Sequence, residues 1–426
     1  MTAEVLDVGC ADGDVGTLTR SSGRITFSYD VGWQARDDAT PLSVSMPLTA
    51  RDHPPRVVEP FLWGLLPDND AVVRRWARDI GVSATNLFGI LAAVGEDLPG
   101  AMSIVPPGHP GESPNDSGDV EWLDEAEVAG LLRAVRQDQT AWHGGGAEWR
   151  WSLAGAQAKI ALFHDGTRWG RPTGRLATTH ILKPAIAALD DHDLNEHLCL
   201  RAARQLGLRV ASTTVAAFGQ ERAIVVERYD RRIVDGTAIR IHQEDLCQAL
   251  AVHPSQKYQN EGGPGPADVV RVLRSQLPHD QAEDAVVTFV DALAYNWIIA
   301  GPDAHAKNYS LLLSGPQVRL APLYDVASAL AYPEFYEPKI HLAMKIGGQY
   351  RLSAIGRGAW EVLARELRID AEVLVGRIAR MAEQTPAALA HACSDPSVVA
   401  IGGELPTRLL DAVTVRARRC ATLLDA

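Results

Sequence analysis

Alternation of apolar and polar positions marks short strands near the start of the chain. The run Gly23-Arg-Ile-Thr-Phe-Ser-Tyr29 has a period of two, and residues 41–48 read as another strand. Helical spacing follows over 70–79. Pro106-Pro-Gly-His-Pro-Gly-Glu-Ser-Pro-Asn-Asp-Ser-Gly118 packs turn formers together and reads as a loop or linker. A Leu- and Val-rich helix over 125–136 precedes a second break at Gly144-Gly-Gly146. From Ser152 the texture turns to strands: Lys159-Ile-Ala-Leu-Phe163, His180-Ile-Leu-Lys183 and Ala223-Ile-Val-Val-Glu227. One helix over 194–206 interrupts them, with Leu194, Leu198, Ala202 and Leu206 on one face. Beyond about residue 240 the pattern predicts helices over 242–252, 267–277, 282–300, 359–382 and 405–424, with a loop over 260–266. No internal repeat is present. Regular βαβ alternation is missing, and a strand-rich lobe followed by a helical lobe, with Gly-rich turns in the first, fits an α+β, bilobal nucleotide-binding kinase fold better than a Rossmann or barrel fold.

Composition narrows the class. With 426 residues, 46% apolar and 22% charged, the chain has apolar surface for real cores, and wholesale disorder is excluded. The formal charge of −12 argues against DNA binding by this chain alone, because phosphate neutralisation needs clustered Lys and Arg. One small basic cluster, Arg416-Ala-Arg-Arg419, reads as a solvated helix end, with auxiliary phosphate contact as the alternative. The cysteines Cys10, Cys199, Cys247, Cys393 and Cys420 are scattered and show no CxxC pairing, which argues against a zinc ribbon or a disulfide scaffold. The first residues lack signal-peptide character. The longest apolar stretch, 286–300, is broken by Asp291 and Asn296 and is too short to span a bilayer. The expectation is a soluble, intracellular protein.

Several chemistries are excluded by inspection: there is no GxxxxGK(S/T), GxGxxG or GxSxG. His192-Asp-Leu-Asn-Glu-His197 lacks the spacing of HExxH or HxxEH and reads as a solvated helix start. The informative segment is Ala300-Gly-Pro-Asp-Ala-His-Ala-Lys-Asn-Tyr-Ser310, between a long apolar helix and the strand-like Leu311-Leu-Leu313. Asp303, Lys307 and Asn308 are costly to place near an interior without a task. Phosphoryl transfer needs such a set: a carboxylate to accept the substrate hydroxyl proton, and an Asn shortly after it to ligate Mg²⁺. Asp303 and Asn308 have the separation found in the protein-kinase motif HRDxxxxN; a polar turn with a structural Asp is the plain alternative. Asp325, closing Leu320-Ala-Pro-Leu-Tyr-Asp325, stands where a kinase places its second Mg²⁺ ligand. Lys183 ends an apolar strand and needs anionic partners, such as phosphate oxygens and the carboxylate of Glu196 on the next helix. Ser152-Leu-Ala-Gly-Ala-Gln-Ala-Lys159 is a small-residue turn whose backbone N–H groups could approach phosphate; an ordinary turn is the alternative. Glu227-Arg-Tyr-Asp230 sits where a hinge would meet adenine.

Taken in order, these motifs resemble the HipA family of bacterial serine/threonine kinase toxins, which act with HipB antitoxins. Ser152-Leu-Ala-Gly-Ala-Gln157, Thr179-His-Ile-Leu-Lys183, Asn195-Glu196, Val226-Glu-Arg-Tyr-Asp-Arg231, Gln243-Glu-Asp-Leu-Cys-Gln248, Gly262-Gly-Pro-Gly265, Asp303-Ala-His-Ala-Lys-Asn308 and Tyr324-Asp325 all match. So do Pro41-Leu-Ser-Val-Ser-Met-Pro47 and Leu65-Leu-Pro-Asp68, so the resemblance covers nearly the whole chain.

The resemblance implies three parts: an N-terminal domain over 1–145, a strand-rich kinase lobe over 146–238 and a helical lobe over 239–426. It implies ATP and Mg²⁺ as cofactors, Asp303 as catalytic base, Asn308 and Asp325 as Mg²⁺ ligands, and Lys183 as the phosphate-binding lysine, paired with Glu196. The ATP-binding loop would be Ala154, Gly155, Ala156, Gln157, Ala158 and Lys159, and the hinge Glu227, Arg228 and Tyr229. His305, Ala306, Lys307, Asn308, Tyr324 and Asp325 would also contact the nucleotide. Ser152 matches a serine that family members autophosphorylate, which ejects the loop and silences the kinase; the added charge of about −1.5 to −2 makes that physically reasonable. Tyr229 stands where Phe is common, and Ala304 falls at a variable position. The implied target is an aminoacyl-tRNA synthetase, glutamyl-tRNA synthetase foremost. Operator DNA would be reached only through a HipB-like antitoxin, and the location would be cytoplasmic, on the nucleoid when complexed. Two alternatives stay open: a catalytically weak kinase fold serving as co-repressor, and a metal-dependent hydrolase built on Asp303, His305 and Asp325.

Overall fold

The computed structural model describes residues 4–108, 118–140, 152–173, 176–186, 189–234, 237–335 and 337–425. Most of the 106–118 linker and the break at Gly144–Gly146 lie outside them. The chain divides into two compact units, the first made of Met1–Pro184, Ala217–Ser255 and Ser310–Arg319, the second of Ala185–Ala216, Gln256–Tyr309 and Leu320–Ala426. Each unit therefore draws on segments from more than one of the three expected domains.

In the first unit, an antiparallel sheet runs in the order Asp52–His53, Arg24–Tyr29, Gly13–Ser21, Glu4–Cys10, Ser103–Val105. Its period-two pattern buries Leu6, Val8, Val15, Leu18, Ile25 and Phe27 in a core shared with helices Pro55–Gly64, Asp70–Asp79 and Leu87–Val94. Asn69 caps the second of these by accepting from the Ala71 N–H. A further sheet places Ile160–His164 between His180–Pro184 and Trp169–Pro172, and Glu221–Glu227 pairs with His180–Pro184. The helix Glu125–Gln137, closed by a capping box of Asp124 and Glu127, packs on these strands.

Two expectations fail in this unit. Residues 41–48 form a loop with one isolated bridge, Ser43 to Met46, because their polar groups are used elsewhere. Ser43 Oγ donates to Glu244, the Val44 N–H donates to Glu244 Oε1 at 2.8 Å, and Ser45 Oγ donates to the Gln248 carbonyl at 3.1 Å. Residues 242–252 are not one helix. His242–Asp245 is a strand paired with Ser310–Ser314, and Asp245 then caps the short helix Leu246–Ala249.

The second unit is a set of helices: His192–Gln205, Pro266–Gln276, His279–Ile298, Arg357–Leu367, Ala371–Cys393 and Leu405–Asp425, with a hairpin of His341–Ile346 and Gln349–Arg351. The region expected as one helix over 359–382 is broken, since Arg368 takes φ +56° and Asp370 caps a new helix through the Val373 N–H. The start of His192–Gln205 is not solvated: Asp193, Asn195, Glu196 and His197 are all buried. Nor is Arg416 on a solvated helix end. It lies inside a helix that continues to Asp425, 1% exposed, donating to Glu337 Oε1 at 2.9 Å and to the Trp297 carbonyl at 3.3 Å. Among the described residues no helix is long and apolar enough to cross a membrane.

Candidate active site

The second unit carries the acidic loop. Helix His279–Ile298 is buried along most of its length and ends where Ala300 turns to φ +53°. A Cβ on Gly301 would lie 2.4 Å from Asn296 Oδ1, so only glycine lets the chain leave the helix this closely. Asp303 then projects outward, its side chain 63% exposed, while His305, Lys307 and Asn308 are buried. Two donors meet on the Asp303 carbonyl: the His305 N–H at 2.8 Å and Asn308 Nδ2 at 2.7 Å. The spacing of Asp303 and Asn308 thus closes a small ring that orients the Asn308 amide on the Asp303 backbone. Tyr258 O–H donates to Asp303 Oδ1 and packs edge-on against the His305 ring at 4.9 Å.

Tyr258 is positioned by the glycine motif that follows it. A Cβ on Gly263 would lie 2.0 Å from the Gln256 carbonyl, and the Gly263 N–H donates to the Tyr258 carbonyl at 3.0 Å. Sequence reasoning noticed these glycines but not the tyrosine they serve.

Asp325 lies in the same unit in a left-handed conformation, φ +58°, which a non-glycine residue keeps only where its surroundings hold it there. On its N-terminal side, Tyr324 O–H donates to the Lys307 carbonyl at 2.6 Å, tying this segment to the Asp303 loop. Leu323 exchanges two backbone bonds with residues after helix His192–Gln205, to Arg209 O at 2.9 Å and from Ala211 N at 2.7 Å. Glu196, on that helix, is buried.

The first unit carries the small-residue turn and the lysine strand. Ser152 is fully buried, its N–H donating to the Asp97 carbonyl at 2.9 Å and its Oγ to the Leu65 carbonyl at 2.7 Å. Gly155 has φ +101°, and its carbonyl accepts from the Asp68 N–H at 3.1 Å. Lys159 Nζ closes the turn by donating to the Ala154 carbonyl at 2.7 Å, leaving Ala156 exposed at the tip, with Gln157 partly and Ala158 fully covered. Lys183 is buried in its strand, opposite Ile224.

At the expected hinge, Glu227 is exposed, and Tyr229 O–H donates to Gln243 Oε1 at 2.6 Å. The Arg228 guanidinium has another employment. It donates to Asp230 Oδ1 and Oδ2 at 3.0 and 2.9 Å, to Thr178 Oγ1 at 2.7 Å and to the Leu98 carbonyl at 3.2 Å. Arg231 and Arg240 reach Asp97 Oδ1 at 2.8 and 3.1 Å, completing a buried cluster of three cations and two carboxylates. Burial opposes ionisation of Asp97, but the guanidiniums of Arg240, Arg231 and Arg228 outweigh it and hold the carboxyl far below its usual range. Asp230 is held down to about 2 in the same way, by Arg228 and Arg231 against the cost of burial. Sequence reasoning missed Asp97; its signal was the charge-dense Glu-Arg-Tyr-Asp-Arg at the end of an apolar strand, which demands distant counter-charges.

The donor chemistry fits the expected cofactors. Asn308 and Asp325 offer oxygen atoms, the hard ligands Mg²⁺ prefers, and Mg²⁺ sites commonly use one or two side chains with phosphates and water completing the shell. The Gly155 turn is a backbone cradle whose φ of +101° disfavours a side chain, and a Cβ there would lie 2.6 Å from Lys159 Nζ. Among the described residues no cluster of three or more His, Cys, Asp or Glu could hold a metal by itself.

An Asp–Asn loop, a second acidic segment in a helical unit and a lysine strand beside a small-residue turn accompany a protein-kinase-like α+β fold. The chain matches the family model for the HipA-like C-terminal domain over residues 151–389 and that for the HipA N-terminal domain over residues 6–105. It belongs to the HipA family. Among its relatives, the protein Y4mE of Sinorhizobium fredii is 36% identical over 98% of this chain and 99% of its own length. The serine/threonine-protein kinase toxin HipA of Shewanella oneidensis is 29% identical over 92% of this chain and 90% of its own. A solved complex of Shewanella oneidensis HipA with HipB and operator DNA aligns with a TM-score of 0.83 at 25% identity, covering 99% of this chain and 98% of that one.

Proposed function

We propose that the protein is an ATP- and Mg²⁺-dependent serine/threonine protein kinase acting as the toxin of a toxin–antitoxin pair. The observation that carries this reading is the Asp303 loop: an exposed carboxylate oriented by the Tyr258 hydroxyl, five residues before an Asn that its own carbonyl holds in place. In the reaction, Asp303 accepts the proton of a substrate serine hydroxyl as the new O–P bond forms and the bond to the ADP leaving group breaks. Asn308 and Asp325 hold Mg²⁺, which when bound supplies charge neutralisation on the phosphates. Lys183, a buried cation, offsets phosphate charge, and the Gly155 turn covers the phosphates with backbone N–H groups.

The family's character supports an aminoacyl-tRNA synthetase as target, with glutamyl-tRNA synthetase the first to test. The relative solved with HipB and operator DNA supports a HipB-like antitoxin as partner. The charge of −12 suits DNA contact through that partner. Autophosphorylation at Ser152 would place a dianion where a hydroxyl is now fully buried, so the modified segment would have to leave its seat.

The test is transfer of labelled γ-phosphate to purified synthetases with Mg²⁺·ATP. Asp303→Ala, at an exposed position, should fold normally and lose about a thousandfold or more of the transfer rate, as expected when general-base and positioning effects are both lost. Full transfer by this variant, or no phosphoprotein from the wild type, would overturn the proposal.

A further inference from the structure

The sequence motif Asn195-Glu196 gave a role to the glutamate and none to the asparagine. Asn195 is completely buried on the helix His192–Gln205, and its amide is fully used. Nδ2 donates to the Ser328 carbonyl at 2.8 Å and to Tyr332 Oη at 3.3 Å. Oδ1 accepts from the Ser328 N–H at 3.1 Å and from Cys199 Sγ at 3.3 Å. Two donors and two lone pairs are the whole capacity of an amide. Asp lacks the donors, Leu lacks every polar atom, and Gln reaches one carbon further.

The recipient, Ser328, stands three residues after Asp325. Its own Oγ donates to the Ile299 carbonyl, and the next N–H, of Ala329, donates to the Ala300 carbonyl at 3.1 Å. Ile299 and Ala300 are the residues from which the Asp303 loop departs. One side chain therefore grips a backbone position bonded to the root of the Asp303 loop and close to Asp325. Further along, Arg209 and Ala211 hold Leu323 on the other side of Asp325. The helix with its following loop brackets Asp325 from both directions, which accounts for a non-glycine residue resting at φ +58°.

We propose that Asn195 is a positioning residue that fixes the metal-binding Asp325 segment against the root of the Asp303 loop through the backbone of Ser328. This rests on the kinase reading. The helix bearing Glu196 and the Asp325 segment then form one body, and a displacement of that helix carries the Mg²⁺ ligand with it.

The test uses the full chain, with Mn²⁺ as the probe ion. Mn²⁺ binding in the presence of the non-hydrolysable analogue AMP-PNP is followed by electron paramagnetic resonance, and AMP-PNP affinity without metal is measured beside it. Removing a residue that orients a metal ligand typically weakens metal affinity about 10–100-fold. Asn195→Ala should show such a loss for Mn²⁺, with metal-free AMP-PNP affinity unchanged. Native Mn²⁺ affinity in a folded Asn195→Ala, or an equal loss in both affinities, overturns the role. Should that variant fail to fold, Asn195→Asp, which keeps only an acceptor for the Ser328 N–H, should show the same selective Mn²⁺ loss, and Ser328→Ala, which keeps the amide clamp, should lose less; native Mn²⁺ affinity in Asn195→Asp overturns the role. Absence of Mn²⁺·AMP-PNP binding in the wild type is a different result: it overturns the kinase reading, and this role falls with it.

Discussion

Glu244 makes stability fall with rising pH. Its carboxyl is fully buried on the strand His242–Asp245, and the groups on it are the Ser43 hydroxyl and the Val44 N–H. Among the described residues no guanidinium or ammonium bonds to it, and the neighbouring Asp245 carboxylate repels it. Burial, reinforced by Asp245 against the two hydrogen bonds, pushes Glu244 up to about 8 from an ordinary 4.5. A folded-state value above the unfolded one means that the folded protein binds the extra proton. The associated stability is present below the unfolded value and is lost as pH rises through about 8. Between about pH 6.5 and 8.5 the loss is on the order of 2 kcal/mol, from ~1.4 kcal/mol per pH unit over the part of the window in which the folded form still holds the proton. Histidines act in a different window: burial lowers His180 and His242 to about 4, so they weaken the fold only as pH falls below their ordinary 6.5. Glu244→Gln keeps an acceptor for the Val44 N–H and has no charge to bury. Urea unfolding followed by tryptophan fluorescence in matched buffers should show wild-type stability falling across this range, with Glu244→Gln flatter by about 2 kcal/mol, or about 4–8 °C in melting temperature for a unit of this size. Parallel wild-type and variant curves above pH 6.5 would refute the reasoning.

Asp97→Asn removes the carboxylate that Arg231 and Arg240 share, leaving excess positive charge in a buried cluster. Breaking such a cluster costs about 3–5 kcal/mol, read as a lowered urea midpoint, and an unchanged midpoint would show the cluster to be energetically idle. Gly155→Ala forces a side chain into φ +101° and against Lys159 Nζ. Nucleotide affinity, measured by titration with a fluorescent ATP analogue, should fall about tenfold, equal to ~1.4 kcal/mol, while the melting temperature moves little.

What could be read from the chain depended on the distance over which each residue's partner lies. The helix Asp70–Asp79 coincides with its expected span because its signals are local: Asn69 as cap and a buried stripe of Val72, Val73, Trp76 and Ala77. The Asp303 loop was legible for the same reason, since Asn308 answers Asp303 within one turn of chain. The segment 242–252 was misread because Glu244 and Gln248 answer to Ser43, Ser45 and Phe61, about two hundred residues away. Polar residues whose partners are that remote look like the solvated face of a helix. Arg416 misled similarly: its acceptors, Glu337 and the Trp297 carbonyl, are distant in sequence, and a basic triplet near the end of a chain resembles a charged surface. Asp97 gave no local signal at all.

The two units hold their candidate site residues by different chemistry, and the difference predicts which of them charge can disturb. Around Asp303 and Asp325 many of the ties run through neutral groups: backbone carbonyls, the Tyr258 and Tyr324 hydroxyls, and the Asn195 and Asn308 amides. Around the Gly155 turn the ties lead to ions. Ser152 is held by the carbonyl of Asp97, whose carboxylate anchors Arg231 and Arg240, and the turn itself is closed by the Lys159 ammonium. A phosphate on Ser152 would set a dianion against the Leu65 carbonyl that now accepts from the hydroxyl, and a carbonyl oxygen has no proton to donate to it. Repulsion and desolvation would act on the turn, while the neutral bonds around Asp303 would keep their geometry. A modified protein should therefore lose nucleotide affinity while its Asp303 loop stays folded, so that removal of the phosphate restores activity without refolding that loop.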